Sequence, residues 1–152
     1  THLKDYESAI HKKTGAILVA HTSNYKVIGF TKDVELAELA TLAKRKRVPL
    51  LVDFGSGAIA DFSNFDMQSE PTVSAYFKAG VHAVSFSGDK LIGGPQSGII
   101  CGKQKLIKKL HSNSMYRALR CDKFTISMME LTLRTYLDNN TVQSKNLTFK
   151  LL

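Results

Sequence analysis

Val81-His82-Ala83-Val84 runs directly into Ser85-Phe86-Ser87-Gly88-Asp89-Lys90-Leu91-Ile92-Gly93-Gly94-Pro95-Gln96-Ser97-Gly98, and that stretch into Ile99-Ile100-Cys101. The first run has the length and apolar character of a buried strand, and the last run reads as a second strand. Between them lies a turn rich in glycine and serine that carries a lysine. Small residues on both sides of Lys90 let the backbone come close to a ligand, and glycine accepts the tight conformations such an approach requires.

Working outward, two more apolar runs share this design. Ala16-Ile17-Leu18-Val19-Ala20 stops at His21-Thr22-Ser23-Asn24-Tyr25, and Leu50-Leu51-Val52 stops at Asp53-Phe54-Gly55-Ser56-Gly57. Continuous apolar runs bounded by turn residues are expected of strands covered on both faces. Helical spacing fills the intervals. Residues 4–13 carry Tyr6, Ala9 and Ile10 on one face. Thr31 is placed as an N-cap ahead of Leu36, Leu39, Ala40 and Ala43, and Lys44-Arg45-Lys46-Arg47 closes that helix before Pro49. A helix from Pro71 to Ala79 ends at Gly80, a basic helix carries Leu106, Ile107 and Leu110, and a last helix spans Lys123 to Leu137 with Ile126, Met129, Leu133 and Tyr136 as core. The alternation predicts an α/β domain, a three-layer α/β/α arrangement with a mainly parallel sheet, over residues 1–138. The tail, 139–152, is polar and then briefly apolar, and reads as the start of a linker.

In such sheets ligands collect outside the carboxyl ends of the strands. Three of those ends carry chemistry: His21 to Asn24, Asp53, and Ser85 to Lys90. Lysine forms Schiff bases with carbonyl compounds once its ammonium is deprotonated. A carboxylate at a neighbouring strand end suits pyridoxal phosphate, whose aldehyde needs an amine and whose ring nitrogen needs an acid partner. Ser87 and Ser85 could donate to its phosphate. On residues alone, Lys90 also reads as a solvated loop charge, and Asp53 as a helix N-cap or turn residue.

The 152 residues suffice for one domain and one core, and 43% apolar with 22% charged residues places the chain among globular proteins. No apolar run approaches the length of a membrane span. Cys101 and Cys121 match no metal spacing and no disulfide framework, so a reducing cytoplasm is the expected setting. The first residue is Thr1 rather than Met, which suggests a fragment. A net charge of +8 and a pI near 9.5 fit either a nucleic-acid partner or a basic surface. Neither an aromatic RNP run nor a GXXG loop is present in convincing form, and Lys44 to Arg47 reads as a solvated helix end.

Six blocks of the sequence carry a resemblance. They are Thr1-His2-Leu3-Lys4-Asp5-Tyr6-Glu7; His21-Thr22-Ser23-Asn24-Tyr25 with Gly29-Phe30-Thr31; and Asp53-Phe54-Gly55-Ser56-Gly57. The others are Glu70-Pro71-Thr72-Val73; Phe86 to Gln96; and Arg117-Ala118-Leu119-Arg120-Cys121-Asp122-Lys123. From Thr1 to about Leu137, in order, the chain resembles the bacterial selenocysteine synthases, L-seryl-tRNA(Sec) selenium transferases. These are fold-type I pyridoxal phosphate enzymes. The Ser-Gly-Asp-Lys-Leu-x-Gly-Gly-Pro-Gln block is the most specific part.

The resemblance implies that Lys90 is the Schiff-base lysine and Asp53 the partner of the pyridine nitrogen. It implies that His21, Ser23 and Asn24 line the cofactor, with Asn24 or Ser23 at its phenolic oxygen. Arg117 and Arg120 match arginines that point into the family's active site, where a guanidinium fork suits a phosphate-bearing selenium donor. Read without the resemblance, those two are helix-flanking surface charges. The implied reaction converts seryl-tRNA(Sec) to selenocysteinyl-tRNA(Sec) by β-elimination of water and addition of selenium from selenophosphate. Lys90 would shuttle the proton.

The family assembles into homo-oligomeric rings. The chain corresponds to the central part of its large domain, without the N-terminal tRNA-contacting region and the C-terminal small domain, so it is expected to be inactive alone. Two other functions compete with this one. One is a fold-type I lyase or desulfurase acting on a small amino acid, and the other a truncated, non-catalytic basic module that binds RNA or a partner.

Overall fold

The structure, a computed structural model, describes residues 1–21, 28–62 and 70–151. The three runs that end in polar residues become parallel neighbours: β1 (Ile17–His21), β2 (Leu50–Phe54) and β3 (Ala83–Ser87). A fourth strand, β4 (Gly98–Gly102), completes the sheet in the order β1-β2-β3-β4 and runs antiparallel to β3. Its direction follows from the connection. A parallel return needs a crossover of about a dozen residues or more, usually with a helix, and the segment from Gly88 to Ser97 contains none.

Strand alternation divides the sheet into two unlike faces. Ile17, Val19 and His21 share one face with Leu50, Val52 and Phe54. Helix α2 (Leu36–Lys46) contributes Leu39 and Ala43 to the core against this face, and α3 (Val73–Lys78) contributes Val73 and Tyr76. Leu39, Leu50, Val52 and Phe54 are at most 1% exposed. Each such side chain contributes about 1.5–3 kcal/mol by leaving water. The other face carries Leu18, Ala20, Leu51, Asp53, Ala83, Ser85 and Ile100. Here Leu18 is 64% exposed and Ile100 50%, and α4 (Gln104–His111) borders a groove of about 350 Å³ with Leu106 and Leu110.

Several boundaries differ from the expected ones. The first helix, α1, covers only Leu3–Ala9. Helix α2 starts at Leu36 with Glu35 as its cap, not after Thr31, because Val34 packs on the core from a non-helical approach. Its last turn holds Lys44, Arg45 and Lys46, with Arg45 2.9 Å and Lys46 3.4 Å from the Glu7 carboxylate of α1. These ion pairs are exposed enough to add little stability. A short helix, α5 (Ser114–Leu119), precedes α6 (Lys123–Thr135), whose first turn is capped by the Asp122 carboxylate. The tail expected to open a linker is helical: α7 (Asn139–Lys145) and α8 (Leu147–Leu151) bury Val142, Asn146 and Phe149. Phe149 stacks on Phe62, with ring centroids 4.8 Å apart. Among the described residues no helix is long and apolar enough to cross a membrane.

His82, at the start of the β3 segment, links the sheet to pH. Its Nδ1 accepts the Leu50 N–H at 3.2 Å, which requires an unprotonated nitrogen. Burial, and then the nearby Lys103 ammonium, holds its pKa below the ordinary 6.5. As pH falls, the unfolded chain takes up this proton near 6.5 and the folded chain only at lower pH. The stability supplied by the neutral ring is therefore complete above pH 6.5 and is lost across the window below it, down to the depressed folded value. His82→Leu should flatten this acid limb. It should also cost about 1–3 kcal/mol at pH 8, because the Leu50 N–H loses its acceptor. Urea unfolding at pH 8 and pH 5 checks both, and an acid limb identical to the parent's would contradict the assignment.

Candidate active site

The carboxyl ends of β1, β2 and β3 point the same way, so the parallel register decides which side chains meet. Asp53 lies opposite Ser85, and the Ser85 hydroxyl donates to Asp53 Oδ1 at 2.9 Å. Both stand on the open face. Ser87, two residues on along β3, faces the same way and is half-buried. The chain then enters the loop that carries Lys90, whose side chain is exposed and makes no ion pair among the described residues.

That loop is held by its own backbone and by the turn after β2. Gly88 N donates to Ser97 O and Gly94 N to Gly88 O, both at 2.9 Å, while Gly93 N closes a tight turn on Lys90 O at 2.9 Å. Leu91 N donates to Ser56 O at 3.3 Å, which ties the residue after the lysine to the turn three residues past Asp53. Gly57 completes this junction. Its φ is +70°, and a Cβ there would stand 2.9 Å from Ser87 O. The Ser56 hydroxyl is buried and bonds the Glu70 carboxylate. The acid-bearing strand end and the lysine loop are thus one connected unit.

Of the remaining expected residues, His21, Arg117 and Arg120 lie away from this unit. The His21 ring lies on the helix-covered face, because it is one residue out of phase with Ala20, the register partner of Asp53. It meets Phe54 and Tyr76 edge-on, with centroids 5.3 and 6.3 Å away. The ring therefore stands on the face opposite Asp53 and Ser85. His21 Nδ1 and the Tyr76 hydroxyl are buried without a hydrogen-bond partner among the described residues. Burial, followed by the Glu70 charge, pushes the Tyr76 phenol up to about 12. Ser23 and Asn24 lie outside the described residues. Arg117 on α5 and Arg120 at its C-terminal cap are exposed, and neither bonds to Asp53, Ser85 or Lys90.

Comparison with known proteins adds to this geometry. The family described as L-seryl-tRNA selenium transferase matches residues 1–152, the whole chain. The chain belongs to this family. Over 138 residues (91% of the chain, 30% of the relative) it is 50% identical to the L-seryl-tRNA(Sec) selenium transferase of Clostridium perfringens. Over all 152 residues it is 49% identical to that of Alkaliphilus metalliredigens, covering 32% of it, and 47% identical to that of Salmonella arizonae, covering 33%. The chain thus spans about a third of the length of the curated relatives it matches.

Solved structures agree on the architecture. D-glucosaminate-6-phosphate ammonia-lyase superposes with a TM-score of 0.70 at 22% identity, over 94% of the chain and 37% of that protein. Cystathionine gamma-lyase from Lactobacillus plantarum superposes at 0.63 and 17% identity, over 90% and 32%. The chain shares the α/β fold of these two lyases.

Within this selenium transferase framework, the donor set fits the cofactor the family implies. An exposed carboxylate is oriented by the Ser85 hydroxyl, one further hydroxyl, Ser87, follows along β3, and an exposed amine sits on a loop tied back to the turn after the carboxylate's strand. Residue-by-residue reading missed the supports of this unit: Ser56 with Glu70, and the side chains of the C-terminal segment that reach the lysine loop. Glu70 precedes Pro71 and Thr72, the N-cap of α3.

Proposed function

We propose that this chain carries the lysine and the acid partner of a selenium transferase site, which converts seryl-tRNA(Sec) to selenocysteinyl-tRNA(Sec) in the cytoplasm as part of a homo-oligomer. The observation that carries the reading is the union of Asp53, Ser85 and the Lys90 loop through the Ser85–Asp53 and Leu91–Ser56 hydrogen bonds. Bound pyridoxal phosphate would supply an electron sink for the bond changes at the seryl α- and β-carbons. Lys90 would hold the cofactor through its amine and, once displaced by the seryl amine, move the α-proton. Asp53, held in orientation by the Ser85 hydroxyl, would keep the ring nitrogen protonated, and Ser87 would donate to the phosphate. Arg117 and Arg120 would bind the phosphate of selenophosphate by bidentate hydrogen bonds. The net charge of +8 suits a tRNA substrate.

The test is to supply the intact protein with pyridoxal phosphate, selenophosphate and seryl-tRNA(Sec), and to analyse the aminoacyl group by mass spectrometry. Selenocysteine on the tRNA is expected, with no turnover of free serine or cysteine. Turnover of the free amino acids with the tRNA left unchanged would replace this reading with that of a small-molecule lyase.

A further inference from the structure

We propose that the segment from Tyr136 to Thr148 is a positioning element for Lys90, holding the loop backbone so that the amine stands at a fixed place relative to Asp53. This inference rests on the reading of Lys90 as the cofactor lysine. Three side chains of the segment reach three consecutive carbonyls of the loop. The Tyr136 hydroxyl donates to Leu91 O at 3.1 Å and to Ile92 O at 3.0 Å, as one shared proton. Asn146 Nδ2 donates to Ile92 O at 2.8 Å, and the Thr148 hydroxyl reaches Lys90 O at a longer 3.5 Å.

The contact is built rather than incidental. Asn146 is 3% exposed, and its Oδ1 accepts the Thr148 N–H at 3.0 Å, so both ends of the amide are used. A buried amide satisfied at both ends specifies a single arrangement of its surroundings. Gly93 has φ +77°, and a Cβ there would lie 2.5 Å from Thr148 Oγ1 and 2.7 Å from Asn146 Oδ1, so the loop passes against the segment with no space between. On its other side the loop is held by Ser56 O. Lys90 therefore sits on a strip of backbone clamped between the Asp53 strand end and the C-terminal helices. The Tyr136 phenol, pushed up to about 12 chiefly by burial, remains a donor across the neutral range.

The experiment uses the intact protein with pyridoxal phosphate and compares Tyr136→Phe and Asn146→Ala with the parent. The rate at which the cofactor's visible band grows, and the pH midpoint of that band, are measured. Borohydride reduction and peptide mapping then locate the cofactor. Tyr136→Phe keeps the ring beside Phe149, at a centroid distance of 6.1 Å, and removes only the hydroxyl. Displacing a reacting group by about 1 Å costs on the order of 10²-fold in rate. Capture on Lys90 should accordingly slow by roughly 10- to 100-fold in each variant, with a displaced pH midpoint. Leu39→Ala, which loosens the core at α2 and touches none of these hydrogen bonds, should leave the midpoint where it is. Parental capture rates and midpoints in both variants, with Lys90 still the labelled residue, would overturn the inference. Failure of the parent to label Lys90 would instead overturn the cofactor reading, and the inference with it.

Discussion

Lys90→Ala is expected to abolish turnover and the visible band of bound cofactor together. The side chain is assigned two tasks that no neighbour duplicates: it holds the cofactor by its amine, and it moves a proton at the substrate's α-carbon. Loss of a positioned proton-transfer group alone costs about 10²–10⁴-fold, and loss of attachment adds to that. Because Lys90 is exposed, its removal leaves no cavity, and the unfolding midpoint should stay at the parental value. Lys90→Arg separates charge from nucleophilicity. The guanidinium remains protonated at any working pH and cannot attack a carbonyl, so this variant should be as inactive as the alanine. Measurable turnover in the arginine variant would show that Lys90 contributes only a positive charge.

Asp53→Asn carries the second large effect. The substitution preserves shape, and Asn Oδ1 can still accept from the Ser85 hydroxyl that now sits 2.9 Å from the carboxylate. Only the negative charge is lost. If that charge keeps the cofactor's ring nitrogen protonated, its loss removes a fixed electrostatic stabiliser of the transition state, and kcat should drop on the order of 10²–10³-fold. Cofactor capture on Lys90 should persist, since the amine is untouched. Ser85→Ala, which frees the carboxylate without neutralising it, should cost less than Asp53→Asn. Steady-state kinetics with seryl-tRNA(Sec) measure these losses, and a parental kcat in Asp53→Asn would remove Asp53 from the site.

The strands were legible because each has an apolar run of strand length that stops abruptly. Their carboxyl ends were read too short. Asp53, Ser85 and Ser87 continue β2 and β3, although they look like loop residues in sequence. The rule of continuous apolarity assumes both faces are covered, and at these ends the face bearing Asp53 is open. The direction of β4 was not anticipated, although the absence of a helix between Ser87 and Gly98 contained that information.

The short helices were hidden for a different reason. α7 has a polar composition and α8 is only five residues long, and what orders them is tertiary: Asn146 meets Ile92 from 54 residues away. A weak signal existed, since Val142, Asn146 and Phe149, the buried residues, are spaced as one helical face would space them. In the candidate site, residue type and position at a strand end marked Lys90, Asp53, Ser85 and Ser87 as candidates, and the structure brings Asp53 and Ser85 into hydrogen-bond contact. Residue type and position did not tell which face His21 takes, because that depends on a one-residue phase that the register with β2 fixes.

The most direct measurement is borohydride reduction of the intact protein equilibrated with pyridoxal phosphate, followed by proteolysis and mass spectrometry of every lysine-containing peptide. Stoichiometric label on Lys90 alone is the predicted result. Label shared among exposed lysines such as Lys103 and Lys105, or concentrated on any residue other than Lys90, would contradict the account.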